Sequence, residues 1–264
     1  MVQIFLTLFL ACSPFANAIV DGKDAQKLSN FAKSVVFIVL QNDAGVPETC
    51  TGSFISPHHI LTAAHCVTSD IEGTTLALGI NPMNNESAQP LTIEKIFVHD
   101  EYSKLSADRN DLAIIKIKET YGDQKYIFNL PTTEERLRIF NQFDPTVTAL
   151  GYGQTRGLEN DDGHQDDDIG TLRYVKLSVH LNIEKTIIVK QSQGGGVCFG
   201  DSGGSIVIRL QKKKYIVGVS SGIFDGEQSA TNLLRTGPID YCKQESIFMN
   251  VLTYMPWIEA TVQK

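Results

Sequence analysis

The stretch GVCFGDSGG, residues Gly196–Gly204, surrounds one serine, Ser202, with glycines. Glycine permits sharp turns, positive φ angles and close approach of other groups, at a cost in conformational entropy. Two interpretations are open at this point. The stretch is either an ordinary glycine-rich turn or a serine nucleophile surrounded by backbone N–H groups that point at a reacting oxygen.

A serine hydroxyl reacts at neutral pH only when a base, usually histidine, stands beside it and a carboxylate holds that base in the right tautomer. His65 follows an apolar segment in LTAAHC, and Asp111 opens the apolar run DLAII. Alone, each has an ordinary structural interpretation, a core histidine and a turn-forming aspartate. Asp108 is an alternative carboxylate in the neighbouring polar segment. Together with Ser202, the order His, Asp, Ser favours a catalytic set.

The composition is that of a globular protein with a sizeable core. The chain has 264 residues, of which 42% are hydrophobic and 20% charged, and its formal net charge is −7. The densest basic run, Lys212–Lys214, stands between two apolar stretches and predicts a hairpin turn. The acidic balance argues against binding to nucleic acid.

Residues 1–18 have the pattern of a secretory signal peptide. An apolar run over Ile4–Cys12 is followed by a proline and by Ala16-Asn17-Ala18, and the run is too short to span a membrane. We therefore predict a secreted protein, extracellular or periplasmic, with no stable membrane association. A lipid-modified Cys12 is the alternative.

The predicted mature chain keeps four cysteines, an even number that indicates disulfides in an oxidising compartment. Four cysteines can form two disulfides in three different pairings. The four are Cys50, Cys66, Cys198 and Cys242.

Short β-branched segments separated by turn residues run through the chain and predict an all-β barrel or sandwich. Helical spacing is confined to the end, where Tyr254, Trp257 and Ile258 share a face. We predict a signal peptide over 1–18 and one globular domain over 19–264. That domain divides into an N-terminal half, 19–130, a polar linker, 131–146, and a C-terminal half, 147–264.

Taken together, several segments resemble motifs of the chymotrypsin-like serine proteases. The resemblance implies two six-stranded antiparallel β-barrels with a C-terminal helix, and a monomeric serine endopeptidase that uses no cofactor and no metal. It also implies protein or peptide substrates and protein inhibitors as partners. The segments are Ile19–Gly22, Leu61–Cys66, Asn110–Ile115, Gly151–Gly153, Gly200–Gly204 and Val219–Gly222.

The resemblance assigns a role to each candidate site residue. Ser202 is the nucleophile, His65 the general base and then acid, and Asp111 the orienting carboxylate. The N–H groups of Gly200 and Ser202 form the oxyanion hole. The family's disulfides correspond to Cys50–Cys66, beside the histidine, and to Cys198–Cys242, at the rim of the specificity pocket.

The resemblance also predicts how the protein is activated. A freed N-terminal ammonium on Ile19 pairs with Asp201 and orders the oxyanion hole. Cleavage after Ala18 exposes Ile19 directly, so we expect no separate activation peptide, or at most a dipeptide.

The pocket residues predict cleavage after small or medium apolar residues such as Val, Ala or Leu. By resemblance, Gly196 forms an uncharged pocket floor, and GVCFGDSG is similar to the corresponding stretch of neutrophil elastase. Tyr152 and Ser221 depart from the family, because each stands where a tryptophan is usual, Ser221 beside the substrate. The remaining predicted substrate-binding residues are Val197, Phe199, Ser220, Gly222 and Ser246.

Two further segments are distinctive: one is an insertion relative to the resembled family, and the other is an acidic loop. Ile223–Tyr241 is a long insertion that could cover the substrate groove, and the acidic loop Gly157–Gly170 is solvated or, alternatively, holds Ca²⁺.

Two rival functions stay open: a non-catalytic binding protein on the same fold and an esterase. The intact set of His65, Asp111 and Ser202 favours the peptidase.

Overall fold

Two antiparallel sheets make up most of the protein in a computed structural model. Several sequence predictions lie outside the residues that the structure describes: the signal peptide, Asp108, most of the acidic loop and most of the insertion. The described residues are 19–20, 22–25, 33–41, 45–67, 71–83, 88–103, 110–121, 124–140, 146–155, 157, 169–191, 195–224 and 240–264.

The first sheet carries the N-terminal half of the chain in the strand order β6-β5-β2-β3-β4-β8-β7. All of its pairings are antiparallel and join neighbours along this order. Apolar side chains from these strands form the larger part of the core. The strands are β2 (Val35–Gln41), β3 (Pro47–Ser56), β4 (His59–Thr62), β5 (Thr74–Leu78), β6 (Gln89–Leu91), β7 (Ile93–Val98) and β8 (Ala113–Ile117).

The second sheet carries the C-terminal half and closes on itself. Its order is β1-β10-β11-β14-β13-β12-β9, and an additional pairing of β9 with β10 completes a six-stranded barrel. The short strand β1 adds to the outside of β10. The strands are β1 (Lys23–Asp24), β9 (Thr146–Gly151), β10 (Arg173–Ile183), β11 (Thr186–Val189), β12 (Ser205–Leu210), β13 (Lys213–Phe224) and β14 (Glu245–Asn250).

The predicted all-β double-barrel fold is confirmed, with one difference in the first half. There the described strands form a curled seven-stranded sheet, in which no pairing joins β6 to β7. The sequence predicts a single strand over Ser53–Leu61, but a turn at Pro57-His58 divides it into β3 and β4. The Ser56 hydroxyl accepts a hydrogen bond from the His58 N–H and stabilises this turn.

The predicted C-terminal helix is present as α2, Val251–Val262, and a second helix was not foreseen. Asn250 caps α2 by accepting a hydrogen bond from Leu252 N–H. Helix α1, Thr133–Phe140, lies inside the predicted polar linker. Its start is a capping box: the Thr132 hydroxyl accepts from Glu135 N–H, and the Glu135 carboxylate accepts from Thr132 N–H.

Tyr152 connects the two halves of the molecule. Its ring is fully buried, and its hydroxyl donates to the Gly79 carbonyl at 2.8 Å and lies 3.2 Å from the Val35 carbonyl oxygen. Tyr152 follows β9 of the second sheet, whereas both carbonyls belong to the first half. Within the described part of the chain, neither helix is long and apolar enough to cross a membrane.

Candidate active site

His65 and Asp111 are brought together by the pairing of β4 with β8. Leu61 in β4 lies opposite Ile114 in β8, so the end of β4 and the start of β8 are adjacent. His65 lies in the 3₁₀ turn Ala64–Cys66 that follows β4. Asp111 lies just before β8 and is buried. The predicted pairing of histidine and carboxylate is therefore a direct contact in the structure.

Two hydrogen bonds join His65 to Asp111. The ring Nδ1 lies 2.7 Å from Asp111 Oδ2, and the backbone N–H donates to Oδ1 at 2.9 Å. An ionised carboxylate can only accept, so Nδ1 carries the proton and donates to Oδ2. The other ring nitrogen, Nε2, then keeps its lone pair, as a general base requires.

Asp111 stays ionised in spite of its burial. Burial raises the pKa of the carboxyl group, but the His65 side-chain hydrogen bond and charge, the Ser221 hydroxyl and the His65 backbone N–H together lower it further. The net result is a pKa below the ordinary value of 3.8. At any pH above that lowered pKa, the group is a carboxylate and can hold the imidazole.

The contact between Ser221 and Asp111 was not foreseen from the sequence. The resemblance places Ser221 beside the substrate, but its side chain is buried and its hydroxyl donates to Asp111 Oδ2 at 2.6 Å. A β-bulge explains the difference. Ser220 pairs with Phe248 and Gly222 with Ile247, so Ser221 is the extra residue, and a bulge re-aims the side chain.

The residue before Asp111 is anchored by the C-terminal helix. Asn110 has a φ of 45°, in the left-handed region, and its side-chain oxygen accepts from the Tyr254 hydroxyl at 2.9 Å. Its side-chain N–H₂ donates to the Glu101 carbonyl at 3.1 Å. Asparagine tolerates this conformation better than most residues. Helix α2 thus helps to fix the turn that delivers Asp111.

The Ser202 loop packs against the segment that leads to His65. Gly200 has a φ of 92° and Gly203 a φ of 78°, so both positions suit glycine. A Cβ on Gly203 would come within 3.0 Å of the Ala63 backbone nitrogen. The loop that carries the serine and the turn that carries the histidine are therefore in close contact through their backbones.

Thr51 holds the Ser202 loop from β3. Its backbone N–H donates to the Ser202 carbonyl at 2.8 Å, and its hydroxyl donates to the Gly200 carbonyl at 3.0 Å. The same hydroxyl accepts from Tyr152 N–H at 3.2 Å. Thr51 is fully buried and stands next to Cys50. Nothing in a single sequence signals these contacts; the bond from Thr51 to Gly200 alone crosses 149 residues of chain.

Two further hydrogen bonds orient the predicted oxyanion-hole groups. Gln154 N–H donates to the Phe199 carbonyl at 2.7 Å, and Gly204 N–H donates to the Asp201 carbonyl at 2.9 Å. In a trans peptide the next N–H points the opposite way, so those of Gly200 and Ser202 point away from these donors. Neither N–H donates to any other described residue.

Both disulfides implied by the resemblance are present. Cys50–Cys66 has a Cα–Cα distance of 5.9 Å and joins β3 to the His65 turn, while Cys198–Cys242 has a Cα–Cα distance of 4.8 Å. The Cys50 and Cys66 sulfurs and the His65 ring lie within 4.8 Å of one another. Since the sulfurs are bonded to each other, they offer no thiolates for a metal ion.

Asp201 and Ile19, the predicted activation pair, are both fully buried. The Asp201 carboxylate accepts hydrogen bonds from Cys198 N–H and Gly153 N–H, each at 2.8 Å. Burial raises the pKa of Asp201 to about 7, although these bonds and the charge of Arg173 act in the opposite direction. Such a carboxylate favours a cationic partner.

The predicted pocket residues lie next to Cys198 in the chain or in the paired strands β13 and β14. Val197 precedes Cys198, and Phe199, which follows it, is 50% exposed. Ser220, Gly222 and Ser246 belong to the paired strands β13 and β14. Ser220 and Ser246 are buried, Gly222 is half-buried, and Gly196 N–H donates to the Val20 carbonyl at 3.0 Å.

A double β-sheet fold with a histidine held on a buried aspartate beside a glycine-rich serine loop defines the class of serine endopeptidases. The chain belongs to the trypsin family, since the family described as Trypsin matches residues 19–258. The protein is accordingly a serine endopeptidase, a hydrolase.

Individual relatives are similar at moderate identity. Chymotrypsin-C of Bos taurus is 27% identical over 82% of this chain and 79% of its own length. A collagenase of Hypoderma lineatum is 29% identical over 80% of this chain and 75% of its own. CLIP domain-containing serine protease B15 of Anopheles gambiae is 24% identical over 94% of this chain and 70% of its own.

Proposed function

We propose that the chain is a secreted endopeptidase that cleaves after small or medium apolar residues through an acyl-enzyme on Ser202. The observation that carries the proposal is the doubly hydrogen-bonded pair of His65 and Asp111 beside the Ser202 loop. Because Nδ1 of His65 donates to Asp111, the lone pair of Nε2 is free to accept the Ser202 proton.

The reaction follows from these groups. Ser202 Oγ attacks the substrate carbonyl carbon while its proton passes to His65 Nε2, and the carbonyl oxygen gains the electron pair. The imidazolium then gives that proton to the leaving amine nitrogen as the C–N bond breaks. Water attacks the acyl-enzyme, loses a proton to His65, and displaces Ser202, which recovers its proton. Asp111 stays ionised throughout.

The N–H groups of Gly200 and Ser202 are proposed to stabilise the negative oxygen of each tetrahedral intermediate. The hydrogen bonds from Gln154 and Gly204 to the flanking carbonyls support this role, because they fix both peptide planes before the substrate binds. Preorganised donors of this kind act mainly on the transition state.

The proposed substrate preference rests on an uncharged pocket. Gly196 places no acid at the floor, and Val197, Gly222 and Ser246 place no charge on the walls. Without a carboxylate, the pocket cannot neutralise Lys or Arg, whose burial is costly. Phe199, half exposed at the rim, and Ser220 would contact the bound peptide.

Secretion and activation complete the proposal. Two disulfides support an oxidising compartment, and residues 1–18 have a signal-peptide pattern. Signal removal after Ala18 would free the Ile19 ammonium to pair with Asp201. Protein substrates and protein inhibitors are the proposed partners of a monomeric enzyme.

The test uses the chain beginning at Ile19 and a fluorophosphonate probe, which labels an activated serine. We expect labelling and peptide hydrolysis in the wild type and in Ser178→Ala, a control at an exposed serine of β10. Ser202→Ala should lose both. Labelling without Ser202 dependence would contradict the proposed site, and hydrolysis of esters without peptides would favour an esterase.

A further inference from the structure

Gln191 is a buried glutamine just beyond the end of β11, and it has no role in the chemistry above. Its side chain is 1% exposed. The carboxamide Nε2 donates to the Val197 carbonyl and to the Cys242 carbonyl, both at 3.1 Å. Its Oε1 accepts from Val197 N–H at 2.6 Å. Three hydrogen bonds therefore fix the plane of the carboxamide.

These three bonds join two segments of chain that also share a disulfide. Val197 adjoins Cys198, and Cys198 is bonded to Cys242. The Gln191 carboxamide thus connects the two segments a second time, through backbone groups of both. Because both of its N–H bonds and one carbonyl lone pair are used, it cannot rotate without leaving buried polar groups unsatisfied.

The carboxamide occupies the space into which a side chain at residue 196 would project. A Cβ built on Gly196 would lie 2.5 Å from Gln191 Cδ and 2.7 Å from Oε1. Gly196 is held in place on another side, where its N–H donates to the Val20 carbonyl at 3.0 Å. A close approach of this kind requires glycine at position 196.

We propose that Gln191 is a specificity-determining residue, whose carboxamide closes the base of the primary substrate pocket and restricts that pocket to small side chains. The inference rests on the proposed function, in which Gly196 forms the pocket floor. A neutral floor of glycine alone would leave a deep pocket for Phe or Leu. With Gln191 in that space, the pocket is shallow as well as neutral, and favours Ala and Val.

The experiment compares peptide p-nitroanilides that differ only in the residue before the cleaved bond, Ala, Val, Leu or Phe. The wild-type chain beginning at Ile19 should give a higher kcat/KM for Ala and Val than for Phe. Gln191→Ala should raise the Phe/Ala ratio of kcat/KM by about tenfold or more. A difference of one methylene in an apolar pocket already changes the discrimination between two substrates about 10- to 200-fold.

Gln191→Met is the matched control. Methionine makes none of the three hydrogen bonds but has a similar length and volume. Because it fills the same space, it should keep a Phe/Ala ratio of kcat/KM close to that of the wild type. If Gln191→Ala fails to fold, Gln191→Asn, shorter by one methylene, should shift the ratio in the same direction by a smaller factor.

Two results would overturn this inference but leave the proposed function standing. One is a wild-type enzyme that prefers Phe to Ala, and the other is a folded Gln191→Ala or Gln191→Asn enzyme with an unchanged Phe/Ala ratio of kcat/KM. Fluorophosphonate labelling of each variant shows that its active site is intact. A wild-type chain that neither labels nor cleaves any of the peptides would overturn the proposed function, and this inference with it.

Discussion

The Ser221 hydroxyl lies 2.6 Å from Asp111 Oδ2, the oxygen that also accepts from His65 Nδ1. The second oxygen, Oδ1, accepts from the His65 backbone N–H. Three donors on one buried carboxylate leave it little freedom to rotate. The orientation of the His65 ring is therefore set by the second half of the molecule, through β13, as well as by the first.

Replacing Asp111 by Asn should lower kcat about 10⁴-fold, because an amide N–H in place of Oδ2 would favour the wrong histidine tautomer. Ser221→Ala should cause a smaller loss of kcat, about tenfold, since both bonds between His65 and Asp111 remain. Ser178→Ala serves as the control. Steady-state kinetics on one peptide substrate measure all three, and an Asp111→Asn enzyme of near wild-type kcat would contradict the role of this carboxylate.

The all-β class and the terminal helix could be predicted from sequence because their signals are local, whereas the double-barrel arrangement was implied only by the resemblance to a family. Short β-branched segments and the helical spacing after Asn250 predict their own elements, and the Thr132–Glu135 capping box carried a signal for α1 that the polar composition of the linker concealed. Contacts that depend on tertiary packing could not be predicted. These contacts depend on how segments far apart in the chain align in space. They are the bulge at Ser221, the hydrogen bonds from Thr51 to the Ser202 loop, and the position of Gln191.

Thr51→Val should lower kcat with little change in KM. Valine keeps the shape of threonine, but leaves the Gly200 carbonyl without its donor and Tyr152 N–H without its acceptor. The Gly200 peptide would then be less firmly held, and the oxyanion hole acts in the transition state. We expect a loss of kcat of about tenfold, compared with 10²–10³ for removal of a whole oxyanion donor.

Thr51→Ser should retain most of the activity, because it keeps the hydroxyl. Thr75→Val, at an exposed position of β5, is the matched control for the substitution. A peptide aldehyde, which forms a tetrahedral adduct, should bind Thr51→Val more weakly in proportion to the loss of kcat. If aldehyde affinity stays unchanged while kcat falls, Thr51 does not act on the oxyanion hole.

Asp201 should make stability depend on pH in a chain that still carries residues before Ile19. Its pKa is raised from 3.8 to about 7 in the folded protein, mainly by burial. The folded state therefore holds this proton more tightly than the unfolded state. The resulting stabilisation is complete below pH 3.8 and is lost as the pH rises to about 7.

Urea unfolding across this window, in a Ser202→Ala background that prevents self-digestion, measures the effect. Relative to Asp201→Asn, the longer chain should lose about 1 kcal/mol of unfolding free energy per pH unit. In the chain beginning at Ile19, an ammonium paired with Asp201 should abolish this slope, because it stabilises the ionised carboxylate. The same slope in both chains would mean that the Ile19 ammonium does not reach Asp201.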